Sequence, residues 1–329
     1  MTINKLDGTC CLVTGGAGFV GSNIVDQLLA AGAREVRVID NFVRGNWTNL
    51  KPAMDIGGVK VIEGDICDDS LVDRATDGVD FVFHQAALRI TRCAEAPREA
   101  LEVLIDGTMN VLEAALRHKV KKVIAASSAS VYGEPSYLPI DESHPFNNRT
   151  MYGAGKVASE QMLRALNDTS DLQYIAFRPF NVYGPRMDIT GVYTEVLIRW
   201  LDAIEANKPP LIFGDGVQSM DFIYVEDVAR ANLIAAQSEI SDEVFNLGTG
   251  VQTSLNELCD LVLRITGSSL KPEHRAPRNV ANVQRRRAAT EKAEKMLGFK
   301  ATVTLEQGLR ELIEWRQATK AMATVGAEA

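Results

Sequence analysis

The chain has 329 residues, of which 46% are hydrophobic, and a formal net charge of −8. This length and composition predict a globular protein with a substantial core, and the negative charge argues against general binding to nucleic acids or anionic membranes. The sequence shows neither a signal-peptide core nor an apolar run of membrane-spanning length, and its five cysteines are scattered, so we expect a cytoplasmic protein with reduced thiols.

The first predicted strand ends in a glycine-rich turn that continues as a helical pattern. The stretch reads LVTGGAGFVGS from Leu12, and Gly16, Gly18 and Gly21 fit the spacing GxGxxG. Glycines at these positions let the backbone approach a pyrophosphate, and the helix N-terminus offers unpaired N–H groups. The turn therefore predicts a dinucleotide site, with an ordinary tight turn as the alternative.

The second predicted strand ends at Asp40, nineteen residues beyond Gly21. A carboxylate at this place can accept hydrogen bonds from an adenosine ribose, and it would repel a 2′-phosphate. The position favours NAD over NADP, although Arg44 nearby weakens that preference. The alternative is a solvated residue at a strand end.

Further strands and helices alternate along the first half of the chain. Strands are predicted over residues 59–65, 79–84, 122–128 and 174–178, and helices over 69–75, 94–119 and 152–167. This alternation predicts an α/β fold with a doubly wound, Rossmann-type parallel sheet and ligands at the carboxyl ends of its strands. His84 and Ser128 lie at such ends.

Beyond residue 178, proline-rich turns interrupt shorter elements. We predict a Rossmann domain over residues 1–178, to which a segment at about 215–250 returns. A smaller mixed α/β substrate-binding region is predicted over 179–315, and a flexible tail over 316–329.

Tyr152 and Lys156 lie four residues apart, and so on one face of a predicted helix. Lowering a tyrosine pKa from about 10 toward 7 takes roughly 4 kcal/mol of differential interaction. An ammonium group and a positively charged nicotinamide ring together are expected to supply it, which would make Tyr152 a general base. Ser128 would bind a substrate oxygen beside the phenol. The alternatives are a surface contact for the pair and a turn cap for the serine.

Eight motifs occur in order: TGGAGFVGS, Asp40-Asn41, Gly64-Asp65-Ile66, His84-Gln85-Ala86-Ala87, SSASVYG, YGAGK, RPFNVYGPR and DFIYVEDVA. In this combination, from about Cys10 to Trp315, the chain resembles the extended short-chain dehydrogenases/reductases. More narrowly, it is similar to NAD-dependent nucleotide-sugar epimerases and dehydratases of the UDP-glucose 4-epimerase kind.

The resemblance implies a role for particular residues. The catalytic residues would be Ser128, Tyr152 and Lys156. The contacts to NAD would come from Gly15, Gly18, Phe19, Val20, Gly21, Asp40, Asn41, Asp65, Ile66, Gln85, Ala86, Ala87, Arg89, Tyr152 and Lys156. The contacts to the nucleotide sugar would come from Ser128, Asn181, Thr194, Leu211, Ile212, Phe213, Met220 and Arg278.

The implied reaction is epimerisation at C4 of a UDP-hexose through a transient 4-keto sugar. Ala129 and Ser130 stand where dehydratases of the family typically carry an Asp-Glu pair, which disfavours elimination and sugar decarboxylation. Two alternatives stay open. One is another NAD-dependent sugar-nucleotide oxidoreductase or an epimerase at a different carbon, and the other is a catalytically silent NAD-binding regulatory protein.

The chain departs from the family pattern in three places. Met220 replaces an arginine that grips a phosphate, which removes a contact worth about 1.5–3 kcal/mol unless another basic group substitutes. Candidate substitutes are Arg186, Arg278 and the run 285–287, although that run has a second interpretation as a solvated basic face. Leu104 replaces an asparagine near the cofactor, and residues 192–195 replace a proline-containing substrate loop.

Partners are expected to be few. The four histidines have no metal-ligand spacing, so we expect no metal. The resemblance implies a homodimer in which helices within 94–119 and 152–167 pair with those of a second subunit. We expect a nucleotide-sugar substrate and no nucleic-acid or membrane partner.

Overall fold

The computed structural model describes residues 5–189, 196–277 and 283–327. Its strands are β1 (Cys10–Thr14), β2 (Glu35–Asp40), β3 (Val59–Glu63), β4 (Phe81–His84), β5 (Lys122–Ala126), β6 (Tyr174–Pro179), β7 (Asn181–Tyr183), β8 (Leu211–Phe213), β9 (Ser219–Met220), β10 (Phe222–Tyr224), β11 (Glu243–Leu247), β12 (Thr253–Ser254) and β13 (Glu273–Arg275).

Seven of these strands form one parallel sheet in the order β11-β6-β5-β4-β1-β2-β3. The direction of winding reverses between β1 and β4, and the crevice at such a reversal is where open α/β sheets bind ligands. The strands are short apolar runs because both faces of the sheet are covered by helices. The predicted doubly wound α/β fold is therefore confirmed.

The helices are α1 (Phe19–Ala30), α2 (Trp47–Ile56), α3 (Asp69–Thr76), α4 (Ile90–Glu95), α5 (Pro97–Leu101), α6 (Thr108–Arg117), α7 (Met151–Thr169), α8 (Val196–Glu205), α9 (Val225–Gln237), α10 (Leu255–Thr266), α11 (Glu291–Leu297) and α12 (Leu305–Ala327). Helices α1, α2, α9 and α11 pack on one face of the sheet, and α3, α6 and α7 on the other. Within the described residues, no helix combines the length and the apolar character that crossing a bilayer requires.

The helix predicted over residues 94–119 is interrupted. Ala96 leaves the helical conformation (φ −131°, ψ 73°) between α4 and α5, and a π-helical turn, Glu102–Gly107, joins α5 to α6. Pro97 causes the first break because its ring disfavours helical backbone in the preceding residue. Each segment still packs one apolar side inward.

The smaller region combines three two-stranded sheets, β10-β7, β12-β9 and β13-β8, with helices α8, α10 and α12. Its core contains Trp200, Leu258 and Leu312, all buried. Strand β11, which lies late in the chain, belongs to the main sheet. The division into domains at residue 178 stays a prediction.

The predicted tail over residues 316–329 needs a correction at its start. Helix α12 continues to Ala327, and the buried Arg316 forms ion pairs with Asp202 and Glu205 of α8. Lys320 contacts the same two carboxylates. These pairs anchor the helix beyond the predicted boundary, and residues 328–329 lie outside the described part of the chain.

Candidate active site

A cavity of about 1820 Å³ lies at the carboxyl ends of the strands of the main sheet and is bounded on its other side by the smaller region. The predicted site residues that line it are Gly15, Gly18, Phe19, Val20, Gly21, Asp40, Asn41, Asp65, Ile66, Gln85, Ala86, Ala87, Arg89, Ser128, Tyr152, Lys156, Asn181 and Met220. The structure therefore brings most of the predicted residues to one place. Their individual roles stay predictions.

The glycine turn lies between β1 and α1 and has no room for side chains. A Cβ atom on Gly15, whose φ is +67°, would lie 2.9 Å from the backbone of Ala86. A Cβ on Gly21 would lie 2.2 Å from the carbonyl oxygen of Gly15. The absence of these carbons lets the turn, the start of α1 and the loop after β4 approach one another, as a pyrophosphate cradle requires.

Asp40 ties the end of β2 to this turn. Its Oδ2 accepts a hydrogen bond from the Ala17 N–H and its Oδ1 accepts one from the Phe42 N–H, both at 2.9 Å. Burial raises the pKa of this carboxyl group, and the two N–H donors oppose that rise. The carboxylate lines the cavity with lone pairs to spare, so it is placed to bind a ribose hydroxyl.

Asn41 and Asp65 extend this wall of the cavity. The Asn41 amide donates a hydrogen bond of 2.7 Å to Asp65 Oδ2. Burial raises the pKa of Asp65, but hydrogen bonds from the Cys67 N–H and from Asn41 together outweigh it, so the pKa lies below its ordinary value. Asp65 therefore remains ionised beside Ile66, whose apolar side chain also lines the cavity.

The side chains of three residues, Ser128, Tyr152 and Lys156, lie together at the carboxyl end of β5. Tyr152 lies in the first turn of α7 and is hydrogen-bonded to the Ser128 side chain. Lys156 follows one turn later, with its Nζ 5.9 Å from the centre of the Tyr152 ring. That ammonium donates a hydrogen bond of 2.5 Å to the carbonyl oxygen of Ala126 at the end of β5. The two hydroxyl groups and the cation are thus held at the edge of the sheet.

Burial shifts the pKa values of both titratable groups of this cluster. Burial raises the pKa of Tyr152 above its ordinary value, and the hydrogen bond from Ser128 opposes that rise without overcoming it. Burial also lowers the pKa of Lys156 to about 8. Burial thus favours the protonated phenol, and the expectation that Lys156 and a nicotinamide ring together favour the phenolate stays a prediction.

His84 is part of the framework under the site. Its Nδ1 lies 2.8 Å from Thr14 Oγ1, and its Nε2 lies 3.0 Å from Thr108 Oγ1. Burial, with a smaller contribution from Lys156, lowers the pKa of the imidazole to about 3. The ring therefore stays neutral and joins β1, β4 and α6.

An ion-pair cluster at the mouth of the cavity was not foreseen from the sequence. Asp188, which follows β7, accepts a hydrogen bond of 2.9 Å from Arg44 and lies 3.4 Å from Arg89. All three residues line the cavity. The pairing partly neutralises Arg44, the basic residue that weakened the preference for NAD over NADP. No local sequence pattern links residues so far apart.

A second unforeseen cluster holds α7 in place. Arg178 in β6 donates hydrogen bonds from Nε and Nη2 to the Glu160 carboxylate at 2.8 and 2.6 Å, and both side chains are buried. Its Nη1 donates to the Tyr132 hydroxyl at 2.8 Å. Glu160 also accepts a hydrogen bond from the Ser127 hydroxyl, next to Ser128. The cluster positions α7 against the turn that carries Ser127 and Ser128.

Three predicted substrate contacts are not among the residues that line the cavity, and their role stays a prediction. Leu211, Ile212 and Phe213 form β8, which pairs with β13, and the Ile212 side chain is wholly buried. The carbonyl oxygens of Leu211 and Phe213 accept hydrogen bonds from Trp200 and Gln218. Two other predicted contacts, Thr194 and Arg278, lie outside the described residues.

The residues of the cavity fit a dinucleotide. The crowded glycine turn, the N-terminus of α1 and the Asp40 carboxylate lie along one wall, with Ser128, Tyr152 and Lys156 at the far end. This order matches what binding a pyrophosphate, an adenosine ribose and a redox ring in sequence requires. Within the described part of the chain, no group of three or more side chains could bind a metal ion.

Comparison with known proteins gives consistent results. The chain is 36% identical over 307 residues to a UDP-glucose 4-epimerase of Mycolicibacterium smegmatis, covering 92% of this chain and 97% of that protein. It is similar in structure to a UDP-N-acetylglucosamine 4-epimerase of Methanobrevibacter ruminantium in complex with UDP-N-acetylmuramic acid (TM-score 0.90, 31% identity, 95% and 99% coverage). It is also similar to a UDP-glucose 4-epimerase of Bifidobacterium longum in complex with NAD+ and UDP (TM-score 0.86, 28% identity, 95% and 99% coverage).

Residues 11–248 match the model of the NAD dependent epimerase/dehydratase family. This match covers the glycine turn, the Ser128, Tyr152 and Lys156 group, and β11 of the main sheet. It confirms the resemblance, the enzyme class and the NAD dependence expected from the sequence. The chain belongs to the NAD-dependent epimerase/dehydratase family.

Proposed function

We propose that the protein epimerises a nucleoside-diphosphate sugar at C4, with a UDP-hexose as its substrate and a 4-keto sugar as its transient intermediate. The observation that carries this proposal is the meeting of Ser128, Tyr152 and Lys156 in the cavity that the glycine turn also lines. The UDP-sugar epimerases to which the chain is similar support the choice of substrate.

The side chains divide the chemistry among them. The Tyr152 oxygen takes the proton of the C4 hydroxyl as the C4–H bond breaks and the C4–O bond becomes a carbonyl. After the keto sugar turns over, the same phenol returns the proton while hydride is added to the opposite face. Bound NAD supplies the hydride acceptor and donor, and its positive charge favours the phenolate. Ser128 hydrogen-bonds the reacting oxygen, and Lys156 adds a second positive charge.

The environment of the phenol favours epimerisation over elimination. Ala129 and Ser130 follow Ser128, and neither supplies the carboxyl group that elimination of water needs beside the general base. Ala129 is buried, and the Ser130 N–H is bonded to Ser128 Oγ at 3.1 Å. Tyr152 is thus the one group assigned to proton transfer, and the nearby Ser128 and Ser130 offer hydroxyls in place of carboxylates. This arrangement suits a reaction in which the sugar loses a hydride and then regains it.

The test is turnover without added cofactor. The protein, purified with its NAD, is incubated with UDP-, GDP-, CDP- and dTDP-hexoses, and the products are identified by NMR. We expect interconversion of two UDP-hexoses that differ at C4, with no net NADH. Stoichiometric NADH formation would show a net oxidoreductase instead. NAD binding with every sugar unchanged would show a regulatory protein.

A further inference from the structure

Among the described residues, Arg286 is the arginine of the cavity that forms no ion pair with a carboxylate within 4 Å. Arg286 lines it, and the Nε atom of its side chain is buried with no hydrogen-bond partner among the described residues. Each of the other arginines that line the described cavity pairs with a carboxylate: Arg44 and Arg89 with Asp188, Arg92 with Glu99, and Arg186 with Asp26. Burial lowers the pKa of Arg286, against the opposing charge of Glu134.

The backbone places Arg286 beside two predicted substrate contacts. The Arg286 N–H donates a hydrogen bond of 2.9 Å to the carbonyl oxygen of Ser219, the residue before Met220. The residue after Met220, Asp221, accepts hydrogen bonds of 3.0 Å at its carbonyl oxygen from the N–H and the amide of Asn181. Arg286, Met220 and Asn181 thus share one wall of the cavity.

The three arginines at 285–287 do not share one face, because successive side chains of an extended chain point to opposite sides. Arg285 is exposed and lines a separate, smaller pocket, whereas Arg287 is exposed and donates from Nε to the carbonyl oxygen of Gly250 at 2.8 Å. Arg286 between them points the other way, into the large cavity. Two of the three arginines therefore form the solvated face foreseen from the sequence, and the middle one does not.

A guanidinium that lines a cavity with its Nε buried, unbonded and outside any ion pair is costly unless a ligand supplies the missing contact. Its planar fork of N–H groups suits the paired oxygens of a phosphate or a carboxylate. Met220, next to it on the wall, contributes apolar surface and no competing charge. The feature is explained if the substrate itself brings the counter-charge.

We infer that Arg286 binds an anionic group of the nucleotide-sugar substrate. The inference rests on the proposed function for the class of ligand, and two parts of such a ligand carry the required oxygens. One is the diphosphate, which every substrate of this class has, and the other is a carboxylate on the sugar ring of a uronic acid. Either part uses the same guanidinium contact.

The test measures binding to the NAD-loaded protein by calorimetry, with UDP, UDP-glucose, UDP-glucuronate and uridine as probes. For Arg286→Ala we expect a loss of about tenfold to a hundredfold in affinity for every probe that carries the group bound, and no change for uridine. A loss shared by all three nucleotides assigns the diphosphate. A loss confined to UDP-glucuronate assigns the sugar carboxylate.

Neighbouring arginines provide matched controls. Arg285→Ala and Arg287→Ala remove the same charge from the same run, and we expect both to bind all probes as the unchanged protein does. Arg286→Lys should retain part of the affinity, and Met220→Arg combined with Arg286→Ala should recover it, because a cation returns to the same wall. Arg286→Gln keeps most of the side-chain length and serves if the alanine variant does not fold.

Equal affinities of Arg286→Ala and the unchanged protein for all probes would overturn the inference, as would failure of the unchanged protein to bind UDP and both UDP-sugars. The outcome is separable from that of the proposed function. Arginine-dependent binding without C4 epimerisation would refute the reaction and leave the contact standing. Epimerisation that is insensitive to Arg286→Ala would support the reaction and refute the contact.

Discussion

Tyr152 lies one turn before Lys156 in α7, and the cavity buries its phenol. Burial raises the pKa of Tyr152 and so favours the protonated phenol. The proposed reaction needs the phenolate, so we expect the charges of Lys156 and of a bound nicotinamide ring to offset the effect of burial.

Replacing Tyr152 with phenylalanine tests the phenol directly. We expect Tyr152→Phe to lower epimerase turnover by about 10²–10⁴-fold, because general base catalysis is lost, and to leave NAD binding unchanged. The matched control is Tyr137→Phe, which removes an exposed hydroxyl bonded to Asp141. Turnover is measured with the UDP-hexose that the panel of nucleotide sugars identifies as a substrate. Equal activities of both variants would refute the assignment.

The sequence predicted the position of Tyr152 relative to Lys156 from helix spacing, but other contacts of single residues could not be predicted from spacing. Arg178 and Glu160 lie eighteen residues apart, on a strand and a helix, and they meet only because α7 packs beside β6. Asp188, which follows β7, and Arg44, which follows β2, are likewise brought together only by the fold. Leu211–Phe213 are assigned by resemblance alone. They form a strand that is bonded through Gln218 to the cavity wall but does not itself line the cavity.

Between elements, the buried Arg178–Glu160 pair is a polar contact that joins α7 to β6 of the sheet. We expect Glu160→Gln to lower the free energy of unfolding by about 3–5 kcal/mol, since it leaves a buried guanidinium without a counter-charge. Urea unfolding measures the change. The control Glu306→Gln breaks the exposed pair with Arg310 and should cost at most about 0.5 kcal/mol. Equal effects would show that burial does not govern the pair.

His84 makes the contact among β1, β4 and α6 dependent on pH. Its pKa is about 3 in the folded protein and about 6.5 in an unfolded chain, so the unfolded state binds the extra proton between these values. The contribution of His84 to the free energy of unfolding is therefore fully present above about pH 6.5 and is lost as the pH falls toward 3. The loss is at most about 1.4 kcal/mol per pH unit.

The measurement is urea unfolding at pH 7 and pH 5. We expect His84 to account for a decrease of about 2 kcal/mol between these values. His84→Gln keeps groups able to bond Thr14 and Thr108 but does not titrate, so its stability should fall less over the same interval. Parallel pH profiles for the variant and the unchanged protein would contradict the role given to the imidazole.

For the molecule as a whole, the resemblance predicts a homodimer formed through α6 and α7. Both helices carry partly exposed apolar residues beside the core, among them Leu116 and Met162. Light scattering coupled to size-exclusion chromatography should then give about twice the chain mass of 35.9 kDa. A mass of one chain at micromolar concentration would contradict the prediction.

The cavity joins both parts of the molecule, so cofactor binding should stabilise the whole fold. A ligand present at 100 times its Kd contributes about 2.7 kcal/mol, which corresponds to a rise of about 4 °C in Tm for a chain of this size. We expect NAD to produce this shift in protein stripped of cofactor. NADP at the same concentration should produce a much smaller one, because its 2′-phosphate would meet the buried Asp40 carboxylate while Asp188 holds Arg44.

Differential scanning fluorimetry of the stripped protein with each cofactor provides the comparison, and NAD and NADP serve as matched ligands that differ by one phosphate. Asp188→Asn should reduce the difference between the Tm shifts caused by NAD and by NADP, since Arg44 then loses its counter-charge and becomes available to a phosphate. Equal shifts with NAD and NADP in the unchanged protein would refute the role of Asp40. An unchanged difference in Asp188→Asn would show that Asp40 alone sets the preference.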